Sequence, residues 1–150
     1  MIEVAKRFVD EMIAHAREDD PDECCGALLG ENDTVVALRR VTNTEHSPYR
    51  YNMDPQEFFK VYQEAEEQGW GLWGFYHSHT HTQAYPSQTD RNLAAWSESY
   101  YLIVSLEDKE KPVVRAFSIV DDEVTEEDLV VTGGNEGGTS ATEPSQRAVD

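Results

Sequence analysis

The chain has 150 residues, of which 30 are Asp or Glu and 12 are Lys or Arg, giving a formal net charge of −18. One domain with a real core is expected at this length, and the apolar residues, 39% of the chain, fall in blocks, which argues against wholesale disorder. No basic stripe offers itself to nucleic acid, no apolar run approaches the ~20 residues of a bilayer span, and no basic-then-apolar leader opens the sequence. A soluble, cytoplasmic protein with neither nucleic-acid nor membrane partners is the expectation.

The first segment, Val4 to Arg17, spaces Val4, Phe8, Met12 and Ile13 as a helix does, and Asp19-Asp20-Pro21-Asp22 breaks it. Cys24 to Gly30 is a continuous apolar run that reads as a strand buried on both faces. Its two cysteines are neighbours and seldom bridge each other, so no disulfide framework is expected, in keeping with a reducing compartment. Glu31-Asn32-Asp33 turns the chain into a returning strand, Thr34 to Val41. After the polar stretch Thr42 to Tyr51, Asp54 as N-cap, Pro55 at the first helical position and Glu57 at the third open a helix that Gly69 and Gly71 end. Leu72 to His79 reads as a strand, Ser87 to Trp96 as a helix, and Tyr100 to Leu106, Val113 to Val120 and Val124 to Val131 as closing strands. The sequence predicts a single α/β domain over residues 1–131, a mixed sheet flanked by helices, and a disordered C-terminal tail over 132–150.

Three of the five histidines are His77, His79 and His81. Side chains alternate along a strand, so His77 and His79 share a face while Ser78 takes the other. Two imidazoles on one face can converge on a metal at about 2.0–2.1 Å per bond. If Ser87 starts a helix, Asp90 lies one turn on and on the same side. Asp90 is then a third ligand, with a fourth position left for water, the pattern of a catalytic zinc site. Nitrogen and oxygen ligands also suit iron or manganese, so zinc is a preference. Ser87-Gln88-Thr89-Asp90 is equally a capping-box pattern, and both readings can hold at once. A three-histidine site using His81, with Asp90 demoted, is an alternative if the strand runs that far. A surface or substrate-contacting His81 is the simpler reading. Tyr51 and Tyr85 are candidates to grip an extended substrate, with plain packing slightly favoured.

The gapless pattern His77-Ser78-His79, seven residues, Ser87, two residues, Asp90 resembles the signature of the JAMM, or MPN-plus (Mov34/PAD-1-type), metallopeptidases. Pro21-Asp22-Glu23, leading into the small-residue strand, is similar to the segment that carries that family's upstream glutamate. The resemblance covers roughly residues 1–131. It implies a single MPN/JAB-type domain with a curved mixed sheet and deaminase-like layering. It also implies one zinc ion held by His77, His79 and Asp90, Glu23 as general base and Ser87 as donor to the oxyanion. Segments 42–54 (TNTEHSPYRYNMD) and 76–90 (YHSHTHTQAYPSQTD) resemble actinobacterial members that release cysteine from the C-terminal glycine of a ubiquitin-like sulfur carrier ending in Gly-Gly, as in cysteine biosynthesis. His81 departs from their pattern. Removal of a ubiquitin-like modifier from protein lysines is the nearest alternative, and a catalytically silent scaffold domain of the same fold is an alternative of another class. A zinc nucleobase deaminase is not supported, because its His-x-Glu and Pro-Cys-x-x-Cys motifs are missing.

Overall fold

A computed structural model describes residues 1–133. The expected tail lies outside the described residues except for its first two: Thr132 completes a strand and Gly133 follows it. The elements are β1 (Ile2–Ala5), α1 (Lys6–Asp19), β2 (Cys25–Glu31), β3 (Thr34–Val41), α2 (Pro55–Gln68), β4 (Gly71–His79), α3 (Gln88–Leu93), β5 (Tyr100–Ser105), β6 (Val113–Val120), β7 (Glu123–Glu127) and β8 (Leu129–Thr132). Among the described residues no helix is long and apolar enough to cross a membrane.

Six strands form one mixed sheet in the order β3-β2-β4-β5-β6-β7, with β4 and β5 parallel and the other pairs antiparallel. The run Cys25 to Gly30 is buried at every position because β2 sits between β3 and β4 with a helix over each face. On one face Phe8, Val9, Met12 and Ala16 of α1 pack over Leu28, Tyr76 and Leu102. On the other, Val61 and Ala65 of α2 pack over Ala27, Phe75 and Tyr101. The alternation of β4 therefore puts Tyr76 on the α1 side, and Phe75 and His77 on the α2 side.

Three local expectations shift. Val4 belongs not to the first helix but to β1, which pairs in parallel with β8 as a separate two-stranded sheet. The expected strand Val124 to Val131 is two strands, because the chain leaves β6 at Glu127 and joins β1 from Leu129. The helix after Ser87 ends at Leu93, and Trp96 turns back so that its backbone N–H donates to the Tyr101 hydroxyl at 2.9 Å.

The start of α2 is as the residues predict, with Asp54 Oδ1 accepting from the N–H groups of Gln56 and Glu57. Glu57 does not complete a box there. Its carboxylate instead takes the N–H and hydroxyl of Thr42 at 2.7 and 2.8 Å, tying α2 to the end of β3. Gly69 closes α2 at φ 77°, a left-handed position that favours glycine.

Candidate metal centre and active site

β4 carries His77 and His79 on one face to its last residue, and both side chains are buried. The chain then loops back through Gln83, Ala84 and Pro86 into α3. Ser87 caps that helix: its Oγ accepts from the Asp90 N–H at 3.0 Å, while Asp90 Oδ2 accepts from the Ser87 N–H at 2.9 Å. The capping box thus holds a buried carboxylate in one orientation. Asp90 Oδ2 lies 3.1 Å from His77 Nε2 and 3.0 Å from His79 Nε2, and the two ring nitrogens are 3.2 Å apart.

That triangle fits a cation. A tetrahedral ion with bonds of about 2.0–2.1 Å sets its ligand atoms about 3.3 Å from one another, close to all three sides. His79 adds a chemical reason. Its Nδ1 lies 2.8 Å from the carbonyl oxygen of Gln83, which can only accept, so Nδ1 carries the hydrogen. In the neutral ring Nε2 then points a lone pair at the lone pairs of Asp90 Oδ2. A metal ion, or a second proton on the ring, reconciles them.

The electrostatics follow the same geometry. Burial opposes charge on Asp90, yet His77, His79 and the Ser87 N–H hold its carboxyl far below the ordinary carboxylate range. Burial holds His77 below the usual imidazole value. For His79 burial works in the same direction, but its hydrogen bonds to Asp90 and to the Gln83 carbonyl raise it.

Glu23 joins this group just before β2. Cys25 pairs with His77 across β2 and β4, and the Ser78 N–H donates to Cys24 O at 3.1 Å, so continuing that register leads Glu23 toward His79, whose charge its carboxyl feels. Its backbone is fixed by its N–H to Ser47 O at 2.8 Å and by Asn43 Nδ2 to its carbonyl at 3.0 Å. The residue is 3% exposed, and Oε1 has no hydrogen-bond partner among the described residues. Burial pushes it up to about 8; His79 opposes the shift and Asp90 reinforces it. A buried carboxyl with an idle oxygen beside a candidate metal site is a candidate for proton transfer once a bound cation offsets the burial that keeps it neutral.

Among the described residues the metal-capable group is His77, His79 and Asp90, without His81. β4 ends at His79, and the exposed His81 lies with Nδ1 2.8 Å from Thr80 Oγ1. Cys24 and Cys25 are buried free thiols, and burial pushes Cys24 up to about 12 and Cys25 higher still, so they serve as small core residues rather than thiolate ligands. Tyr51 stacks on the His77 ring, centroids 4.5 Å apart, and so packs against a candidate ligand. Tyr85 meets Phe117 edge to face, ring centroids 5.4 Å apart. The Gln83 carbonyl and the Asn43 amide, which orient His79 and Glu23, carry no sequence signal, because backbone carbonyls are common to every residue and an isolated Asn marks any turn.

Comparisons with known proteins give the family. The family model for prokaryotic homologs of the JAB domain matches residues 5–120. The chain belongs to that family. It is 42% identical over 126 residues to the CysO-cysteine peptidase of Mycobacterium tuberculosis, covering 83% of this chain and 86% of that one. It is 41% identical over 103 residues to the desampylase of Haloferax volcanii, covering 64% of this chain and 74% of the relative. The solution structure of protein DSY2949 from Desulfitobacterium hafniense superposes with a TM-score of 0.79 at 37% identity, covering 91% of this chain and 97% of that one. The mixed sheet between α1 and α2, with the histidine pair at the end of β4, is thus the JAB fold as this chain builds it.

Proposed function

We propose that this JAB-family hydrolase releases cysteine from the C-terminal glycine of a ubiquitin-like sulfur-carrier protein. Its metal is one zinc ion held by His77, His79 and Asp90. The observation that carries this reading is the 3.0–3.2 Å triangle of donor atoms, with the His79 lone pair directed into it. The 42% identity to a CysO-cysteine peptidase supports cysteine as the leaving group.

Zinc in such a site supplies Lewis acidity and lowers the pKa of a water toward about 7. Glu23 takes the proton of the attacking water and returns it to the leaving amine, the task its idle Oε1 suits. Ser87 donates to the oxyanion. Its Oγ already accepts from the Asp90 N–H, which leaves its own hydrogen free to be given. Gln83 and the capping box keep His79 and Asp90 aimed, and Tyr51 shields the His77 ring. A flexible Gly-Gly tail suits a narrow cleft, where backbone hydrogen bonds supply affinity. The buried free cysteines support a reducing compartment such as the cytoplasm.

The identity to a desampylase favours a second reading, removal of a ubiquitin-like modifier from lysine. Incubating the zinc-loaded protein with a carrier–cysteine adduct and with a carrier–lysine isopeptide, then weighing the products, separates the two. Free cysteine and unmodified carrier are expected. Cleavage of the isopeptide with no cysteine released overturns the first reading.

A further inference from the structure

The residue after His79 ties together the loops that meet beside the candidate metal site. Thr80 is 1% exposed, and its Oγ1 lies 3.2 Å from the carbonyl oxygen of Pro21 and 3.5 Å from that of Pro48. Both carbonyls can only accept, so the hydroxyl donates toward them. His81 Nδ1, 2.8 Å from the same oxygen, supplies the bond that the hydroxyl accepts. One buried hydroxyl thus joins the turn that leads into Glu23, the loop between β3 and α2, and the segment that leaves β4.

A second tie runs along the outside. Lys109, in the turn between β5 and β6, places its Nζ 3.0 Å from Asp20 Oδ2 and donates to the Thr80 carbonyl oxygen at 3.4 Å. That turn is itself anchored on α1, because Arg17 donates to the Lys109 carbonyl oxygen at 3.2 Å. Asp20 and Pro21, just before Glu23, are therefore fastened to Thr80, just after His79.

These ties bear on the candidate base because Glu23 Oε1 has no partner of its own among the described residues. Backbone contacts locate the carboxyl instead: the Glu23 N–H on Ser47 O, Asn43 on its carbonyl, and the preceding turn on Thr80 and Lys109. The candidate ligands are aimed separately, by Gln83 and the Ser87 cap, and the His79 carbonyl oxygen is held by the Leu106 N–H at 2.9 Å. Slack in the turn before Glu23 then moves the base and spares the ligands. Catalytic geometry is steep, and a displacement of about 1 Å can cost about 10²-fold in rate.

We infer that Thr80 and Lys109 are positioning residues: they clamp the Asp20–Pro21 turn to the end of β4 and so set where Glu23 stands relative to His77, His79 and Asp90. The inference rests on the peptidase reading and adds to it the groups that hold the base in place.

The test compares zinc-loaded wild type with Thr80→Val, which keeps the size of the side chain and removes the hydroxyl, on a carrier–cysteine adduct. A fall in kcat of about tenfold or more is expected, with KM and zinc content unchanged, and Thr80→Ser should keep most of the rate. In a Glu23→Gln background Thr80→Val should cost no further rate, because the group it positions is gone. Lys109→Met alters an exposed residue, where ion pairs are weak, so it should act the same way by a smaller factor and test the clamp even if Thr80→Val does not fold. Amide exchange gives a readout without turnover: in both variants the Glu23 N–H should exchange faster while the amides of β5 keep their protection. Wild-type kcat with wild-type exchange at Glu23, a loss of zinc that accompanies the loss of rate, or a rate loss that adds in full to that of Glu23→Gln overturns the clamp. Faster exchange at Glu23 in a protein whose wild type cuts no adduct leaves the clamp standing and refutes the peptidase reading instead.

Discussion

The Nδ1 of His79 donates to the carbonyl oxygen of Gln83 across 2.8 Å, and this one bond fixes which nitrogen of the ring faces the carboxylate of Asp90. The loop between β4 and α3 thus orients one candidate ligand through its backbone and a second through the Ser87 cap. Ligand geometry here depends on local hydrogen bonds, so single substitutions should separate metal binding from catalysis.

Asp90→Ala should lower zinc affinity by more than the roughly 10–100-fold that loss of an orienting partner costs. His81→Ala should leave zinc content unchanged, because His81 bonds to Thr80 outside the donor triangle. Metal analysis after dialysis and competition with a chelating dye check both. The reverse outcome would restore the three-histidine site.

Glu23→Gln should keep one zinc per chain and lose turnover by about 10²–10⁴-fold, the usual scale of a positioned general base. Zinc content and the rate of cysteine release are the two measurements. Unchanged release would refute the assignment.

The same substitution should alter how metal-free protein responds to pH. Burial raises the folded-state value of Glu23 from 4.5 to about 8, so the neutral form is favoured in the folded state. Its contribution is fully present below the ordinary value and is lost as pH rises through about 8. Metal-free wild type should therefore lose stability across that window relative to Glu23→Gln, which has no carboxyl to ionise. Thermal melts in chelator from pH 4.5 to 8.5 report the difference, and parallel curves would contradict it.

Ser87→Ala should act twice. Losing a donor to the oxyanion typically costs about 10²–10³ in kcat. Losing an N-cap costs about 0.5–2 kcal/mol of stability. Kinetics at saturating zinc and a thermal melt separate the two, and a stability loss with kcat intact would reduce Ser87 to a cap.

Gly26→Ala should destabilise the fold by about 1–3 kcal/mol or more, as overpacking does. A Cβ there would stand 2.3–2.5 Å from the ring and hydroxyl of Tyr76. Tyr76 is fully buried, and its hydroxyl meets His15 Nδ1 at 2.7 Å, so it has little room to yield. A lower Tm checks this; an unchanged one would show that the ring can move.

Strand parity in His77-Ser78-His79, the helical offset of Ser87 and Asp90, the buried run of β2 and the Asp54-Pro55 helix start were all legible in the residues. Each is a local pattern whose period or spacing is fixed by backbone geometry. Tertiary structure alone decided what depends on distant partners. Ile2 and Val4 form a strand because Leu129 and Val131 lie beside them, and the last strand breaks at Asp128 because its two halves serve different sheets. Trp96 leaves its helix for Tyr101 and the rings of Phe58 and Phe75. Glu23 comes near His79 only because β2 lies beside β4, and His79 is aimed by a carbonyl that any residue at position 83 would offer. Short strands, cross-strand neighbours and backbone acceptors leave no periodic trace in a sequence, because their partners are set by packing rather than by chain spacing.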